Sequence, residues 1–500
     1  MKFCSTLLPG LFCALLCSAP MAQPRQAHAL PASVIKALRQ AQVPPQGLSV
    51  LIAPLPSEPG EALRPRLAHH EQDAVHPASV MKLFTTYAGL QLLGPDFTWR
   101  NRIYTDGPIK DGVLQGNLIV RGSGDPKLVV ERLQDLIGQI MAQGVREVRG
   151  NIVLDRSVFD VNPRKEAFDD EPLRPYNVSP DGALLNFKSV IYTFTPDPTT
   201  GRARVRSEPP LAGLAVPADV PLRSGPCQDW RSELKADFSQ SLQTRFSGSY
   251  ASACGERTWP VAYPFPDDFA PRVFQALWLQ AGGQLTGQAI YGKTLAKATL
   301  LLEARSLPLA EVVADINKFS NNVMAQQLFL TLSSELGAPG RFEASRLRLD
   351  QWWRQQFPGL PAPVLDNGSG LSRSERSTAQ SLTALLQKAS QGEAAQALRN
   401  SLSIAGVDGT MARLKDRQPN AAAIGKAWLK TGSLRDVASI AGYVQGDSGR
   451  LYTLVAVLNH ANAQQARPAL DALLEWTVRD TNSKTPAFSP SNRPDTGRLQ

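Results

Sequence analysis

The sequence predicts a mixed α/β (α+β) fold whose principal domain is split by a long insert, and three observations lead to that expectation. The stretch from His76 to Gly94, HPASVMKLFTTYAGLQLLG, carries enough apolar residues at helical spacing to form a helix inside a protein core. From about Phe97 the character changes to short strands and turns, and residues 196–270 are richer in Pro, Ser, Gly and charge, with no long helical period. From Leu307 the helices become long and regular, and strand-like runs WLKTGSL, SIAGYVQG and LYTLVAVLN follow. The first helix therefore stands roughly two hundred residues away from the helices it must pack against.

A chain of 500 residues exceeds what one compact core holds, so two or three domains are expected. The division read from the sequence is a signal peptide over 1–22, a discontinuous principal domain over 23–96 and 300–480, and an inserted α/β domain over 97–195 and 271–299. A small β-rich insert is nested within that domain over 196–270, and a polar, Pro-rich disordered tail occupies 481–500. At the N-terminus Lys2 precedes the apolar run Phe3–Leu16, and small residues follow with Ala22 as the expected cleavage point. Leu16 stands before Cys17 where a lipoprotein would need a small residue. Export then removes Cys4, Cys13 and Cys17 and leaves Cys227 and Cys254, which in an oxidising compartment form a disulfide. It also leaves 52 basic against 44 acidic residues, read either as a solvated basic surface or as one that attracts an anionic polymer or membrane face. No nucleic-acid motif accompanies that charge.

In chain order, VIKALRQAQ forms a surface helix stopped by Pro44 and Pro45, and GLSVLIAPL alternates as a strand. After the helix at 76–94, Asp106-Gly107 and Asp111-Gly112 punctuate hairpins. VVERLQDLIGQIMAQGV reads as a helix, EVRGNIVLD as a strand, and helical spacing returns over Pro271–Ala281.

The chemistry-bearing residues lie at the ends of these elements. Ser79 and Lys82 are three apart on one helix face, so a lysine amine neutralised by burial can take the serine proton during attack on a carbonyl. Pro77 and Ala78 are read as the first helical turn. The same Ser-x-x-Lys spacing recurs at Ser33 with Lys36 and at Ser232 with Lys235, but only Ser79 leads a long apolar segment. Ser320-Asn321-Asn322 follows LAEVVADINKF where a helix gives way to a loop. Lys430-Thr431-Gly432 falls on a strand, where Gly432 lets a peptide substrate approach the backbone.

Taken in order, these three motifs make the set found in penicillin-binding proteins and β-lactamases. With GSGDPKL at 122–128, DNGSGLSR at 366–373 and AGVDGTM at 405–411, the chain resembles the low-molecular-mass class C penicillin-binding proteins, exported D-alanyl-D-alanine carboxypeptidase/endopeptidases with a large insertion between the first two motifs. The resemblance implies a serine β-lactamase/transpeptidase-like domain, an antiparallel sheet flanked by helices. It implies Ser79 as nucleophile, Lys82 as base, and Ser320 and Lys430 as the proton relay to the leaving amine. Asn322 would orient Lys82 and the substrate amide; Thr431 and Ser433, helped by Arg373, would hold the substrate carboxylate beside Gly432. Peptidoglycan muropeptides are the implied substrate and β-lactams the inhibitors, with no metal or other cofactor, a periplasmic location and peripheral membrane association. Some relatives carry an insert aspartate facing the active site; the matching place in SPDGALLNF is Asn186. A β-lactamase and a non-catalytic murein-binding protein stand as the alternatives to this reading.

Overall fold

The computed structural model describes residues 29–56, 64–161 and 168–482, so the expected signal peptide and the expected tail beyond Asn482 lie outside the described residues. The principal sheet has six strands, ordered Ser403–Ile404, Ala427–Leu434, Val437–Gln445, Leu451–Asn459, Leu48–Pro54 and Leu67–His69, and every neighbouring pair is antiparallel. Leu48–Pro54 pairs with Leu451–Asn459 along its whole length, which joins the two ends of the chain in one sheet. Both faces are covered, which explains why LYTLVAVLN is a continuous apolar run and does not alternate. Helices Ala32–Gln40 and Arg467–Val478 cover one face through Val34, Leu38, Leu470 and Leu474. Helices Lys82–Leu93, Leu309–Lys318, Asn322–Ser334 and Ala379–Ala389 cover the other.

The insert builds two sheets of its own. The larger is ordered Ala289–Gly292, Ile152–Asp155, Leu118–Arg121, Arg100–Thr105 and Thr299–Arg305; the smaller joins Gln284–Leu285, Glu147–Val148, Val113–Leu114 and Ile109–Lys110. The strand Thr299–Arg305 completes the larger sheet by pairing with Arg100–Thr105. The stretch EVRGNIVLD is thus two strands in two sheets, because Arg149–Asn151 steps the chain from one to the other. Asp111-Gly112 makes a two-residue hairpin with both residues at positive φ, as its sequence requires. Asp106-Gly107 does not make one: Asp106 accepts bonds from the backbone and side chain of Asn117, and Arg100–Thr105 pairs with Leu118–Arg121 across the intervening small sheet. Helices Val130–Ala142 and Pro266–Gln280 pack on these sheets through Leu133, Ile137, Phe274 and Trp278.

Residues 189–262 form a five-stranded sheet and a separate two-stranded hairpin around an aromatic core of Tyr192, Phe194, Trp230, Phe246, Tyr250 and Trp259. Cys227 and Cys254 are disulfide-bonded at its side, 27 residues apart in sequence. The insert is fastened to the principal domain by Gln327, fully buried on the helix Asn322–Ser334. Its amide donates to the carbonyls of Gly124 (3.1 Å) and Asp181 (2.9 Å) and accepts from the Asp181 N–H (2.9 Å).

Closing a loop of this length stabilises a fold by about 3 kcal/mol. Because the disulfide lies outside the principal domain, the double substitution Cys227→Ser with Cys254→Ser is expected to lower the calorimetric melting temperature while leaving the rate of β-lactam acylation within about twofold of wild type. An unchanged melting temperature would remove the disulfide from the stabilising interactions.

Candidate active site

The helix that brings the serine into the core does not begin where the spacing suggested. Pro77 and Ala78 are not a first α-helical turn: Ala78 has φ +47°, a left-handed conformation that is costly for a residue with a side chain, and Ala78–Met81 is a 3-10 turn leading into the α-helix at Lys82. Ser79 and Lys82 still meet, with Lys82 Nζ 2.9 Å from Ser79 Oγ.

Lys82 is fully buried and has two further partners, Asn322 Oδ1 at 2.6 Å and the Ser369 carbonyl at 2.5 Å. Asn322 is oriented by its own amide, which donates to the carbonyl of Tyr176 at 3.1 Å. Both of these partners of Lys82 can only accept, whereas the Ser79 hydroxyl can donate. A neutral amine therefore places its two N–H bonds on Asn322 and Ser369 and turns its lone pair to the Ser79 proton. Burial favours that neutral form and brings the Lys82 pKa down to about 7, with the charge of Glu375 acting in the opposite direction.

Ser320 and Lys430 complete the cluster. The helix Leu309–Lys318 ends with the Asn321 N–H bonded to the Ile316 carbonyl, leaving Ser320 in the left-handed position usually held by glycine, at φ +56°. Asn321 then caps the next helix by accepting from the Met324 N–H. Lys430 Nζ, also fully buried, donates to Ser320 Oγ at 2.8 Å and to the Thr431 carbonyl at 2.6 Å. Burial, and after it the charge of Lys82, push Lys430 well below the ordinary lysine range. The repulsion between the two ammonium groups is mutual, so the first proton to leave relieves the other.

The strand Ala427–Leu434 forms one wall. Ser403–Ile404 pairs with it only at Leu429 and Trp428, so its outer edge is open from Lys430 onward among the described residues. Gly432 is required there for a different reason from substrate approach alone: a Cβ would lie 2.7 Å from the Pro77 carbonyl, 3.0 Å from the Ser79 N–H nitrogen and 2.3 Å from Ser439 Oγ. Thr431 Oγ1 bonds Thr410 Oγ1 at 2.8 Å, and Ser433 Oγ accepts from Arg467 Nη2 at 2.8 Å. Ser79, Ser320, Thr410, Thr431, Ser433 and Arg467 line one cleft of about 260 Å³.

Arg373 is not in that lining. It pairs with Asp436 at 3.4 Å at the tip of the next hairpin, and its guanidinium stands 4.4 Å from the ring centroid of Phe168. Arg467, at the start of the last long helix, lines the cleft together with Arg417, which pairs with Asp471 at 3.4 Å, and no motif pointed to either arginine. Asn186 does not face the site: it lies in a 3-10 turn, its amide donating to the Ser189 carbonyl at 3.1 Å and its backbone N–H to Leu128. The insert reaches the site through Tyr176. Its hydroxyl donates to Asp169 at 2.8 Å; although partial burial opposes it, bonds from Asn177 and Tyr176 hold that carboxyl below its ordinary range. The two other Ser-x-x-Lys copies are surface pairs: Ser33 and Lys36 are exposed, and exposed Ser232 donates to Asp229 at 2.7 Å.

The model of the D-Ala-D-Ala carboxypeptidase 3 (S13) family matches residues 59–479. The D-alanyl-D-alanine carboxypeptidase of Actinomadura sp. (strain R39) is 30% identical over 404 residues, 75% of this chain and 72% of that protein. The D-alanyl-D-alanine carboxypeptidase DacB of Haemophilus influenzae is 25% identical over 391 residues, 76% of this chain and 80% of that protein. The crystal structure of penicillin binding protein 4 (dacB) from H. influenzae superposes with a TM-score of 0.70 at 22% identity, covering 88% of this chain and 99% of that one, a likeness of fold.

If neutral Lys82 is the base, acylation requires the deprotonated amine, so the rate rises with pH through about 7 and falls about tenfold per unit below it. Lys82→Arg keeps the charge but cannot deprotonate and is expected to lose acylation, whereas Lys430→Arg retains a cation at the strand edge and loses less. Acylation rates measured against pH for the three proteins decide this; Lys82→Arg acylating within about tenfold of wild type would remove Lys82 from the role of base.

Proposed function

The chain belongs to the D-Ala-D-Ala carboxypeptidase 3 (S13) family and is a serine-type peptidase of that class, and from this premise we propose how its own residues perform the reaction. Ser79 Oγ attacks the carbonyl of the penultimate D-alanine of a muropeptide as Lys82 takes the hydroxyl proton, and an acyl-enzyme forms. Ser320, bonded to Lys430, passes a proton to the departing D-alanine amine. The backbone N–H groups of Ser79 and Ser433 receive the oxyanion; one such donor is worth about 3–4 kcal/mol in other acyl transfers. Thr431, Ser433 and Arg467 hold the terminal carboxylate, and Asn322 serves both Lys82 and the substrate amide. Water then releases the acyl group.

The observation that carries this reading is the set of partners around Lys82 Nζ: two pure acceptors take its hydrogens and leave Ser79 as the one group able to donate to its lone pair. The chain is read as an exported, periplasmic protein. The apolar segment Phe3–Leu16 behind Lys2 and the use of Cys227 and Cys254 in a disulfide support that location. The excess of basic residues supports peripheral contact with the anionic envelope surface.

A fluorescent penicillin is expected to label the wild-type protein covalently and to leave Ser79→Ala unlabelled, while Ser33→Ala and Ser232→Ala label normally. Mass spectrometry of the tryptic adduct reads the site directly, and an adduct on Ser33 or Ser232 overturns the assignment. For carboxylate recognition, Arg467→Ala is expected to raise KM for a peptide ending in D-Ala-D-Ala by about tenfold or more, with a smaller effect from Arg373→Ala. The reverse order in steady-state kinetics would return that role to Arg373.

A further inference from the structure

His76 stands three residues ahead of Ser79, and the proposed reaction gives it no part. Its residue is 7% exposed, and each ring nitrogen faces a backbone group with a single possible role. Nδ1 accepts from the Ala78 N–H at 3.0 Å, and Nε2 lies 2.5 Å from the Ser372 carbonyl, which can only accept. The ring is therefore the neutral tautomer with its proton on Nε2. Asn459 fixes the His76 backbone from both sides, accepting from its N–H at 2.7 Å and donating to its carbonyl at 2.9 Å. With that backbone anchored, the Nδ1 bond spans Pro77 and secures Ala78 in its left-handed conformation, one residue before the nucleophile. Ser439 Oγ donates to the Pro77 carbonyl at 2.7 Å and holds the other side of the same turn.

We propose that His76 is a positioning residue for acylation: its neutral ring holds the Ala78 turn that aims the hydroxyl and the N–H of Ser79, and protonation of the ring releases that turn.

An imidazolium would present an N–H at Nδ1 to the N–H of Ala78, donor against donor, and the bond that secures the turn is lost. The ring borders a recess of about 280 Å³ lined by Arg373, Arg376, Asp436, Asn459 and His460, so protons from solvent have a route to it. The groups facing the ring act in both directions. Burial disfavours its charge first; the Ser372 carbonyl favours it; Arg376 and Arg373 disfavour it, and Asp436 favours it. The balance lies below the ordinary histidine value, so the ring is neutral at pH 7 and charges in acid.

The proposal rests on Ser79 as the acylated residue, and the two can fail separately: mapping the wild-type adduct tests the nucleophile, and the shape of the pH profile tests His76. The second-order rate of acylation by a fluorescent penicillin is measured from about pH 4.5 to about pH 8. Wild type is expected to lose about tenfold per unit as Lys82 protonates, then about a hundredfold per unit once His76 also protonates. In His76→Asn, Oδ1 takes the place of Nδ1, accepts from Ala78 and cannot be protonated. That variant is expected to acylate within about tenfold of wild type at high pH and to show only the shallow acid limb. His76→Gln and His76→Ala lack an acceptor at that place and are expected to be at least about a hundredfold slower than wild type at high pH, with the gap narrowing in acid, where the protonated wild-type ring loses the same bond. A wild-type profile with a single shallow limb overturns the proposal whatever the variants do. So does His76→Asn with the steep limb intact, or His76→Ala acylating at the wild-type rate at high pH.

Discussion

Removing a lysine ammonium from water is the constraint on which this structure turns. Lys82 is fully buried, with no carboxylate in contact among the described residues, so it depends on the surrounding core to exclude water and on neighbouring acceptors to satisfy its hydrogens. The helix Lys82–Leu93 is accordingly buried without a break from Lys82 to Leu90, an unusual state for a segment that carries a charge-bearing residue at its start. Phe84 and Tyr87 pack edge-on against Trp353 and Trp352, and the principal sheet closes the remaining side. A defect in this packing that admitted water would restore the charge on Lys82 and remove the proposed base.

The acceptors are held as firmly as the helix. The Ser369 carbonyl lies on a tight loop over Asp366–Glu375, where one oxygen of fully buried Glu375 receives the backbone N–H groups of Asp366, Asn367 and Gly368. Thr85, one turn along the helix Lys82–Leu93, donates to the Gly368 carbonyl at 2.6 Å and ties that loop to Lys82's own element. Gly370 has φ +82°, and a Cβ there would sit 2.0 Å from the Ala78 carbonyl, so this loop and the turn Ala78–Met81 are in direct contact. The second acceptor, Asn322, begins the helix whose Gln327 grips the insert, and its amide is oriented by Tyr176 of that insert. The insert thus bears on the chemistry through one helix, although its own core is separate from that of the principal domain.

Much of this was legible in the sequence where the signal is local. Ser79 and Lys82 are related by helical spacing, and that relation survives even though the serine sits in a 3-10 turn, because residues three apart still stack. Lys430 and Ser320 were legible as motif members, but their mutual contact, 110 residues apart, was not. Arg467 carried no signal, since a lone arginine ahead of a proline resembles any helix start; only the pairing of strand and terminal helix brings it to Ser433. Asn186 was misplaced because sequence order within the insert does not say which turn meets the site's residues; it is the Tyr176 carbonyl that contacts Asn322. The left-handed backbone at Ala78 and Ser320 was equally hidden, as neither residue type favours it; the bonds at these turns, Ala78 N–H to His76 Nδ1 and Asn321 N–H to the Ile316 carbonyl, have no signature in the residue types.

Among the described residues neither Lys82 nor Lys430 has a carboxylate in contact, and the proposed substrate brings one. With both amines desolvated and repelling each other, the empty site disfavours two charges and tolerates one. A carboxylate arriving at Thr431, Ser433 and Arg467 lies on the strand that carries Lys430, so it favours the positive charge there over the same charge on Lys82. Lys82 is then left neutral with its lone pair on Ser79, while Lys430 holds the proton that Ser320 can pass to the leaving amine. Binding of an anionic terminus would in this way assign the base and the acid between two chemically identical side chains. An uncharged terminus at the same place would leave that division undetermined, which gives an electrostatic reason for a strand edge that ends in hydroxyls and an arginine.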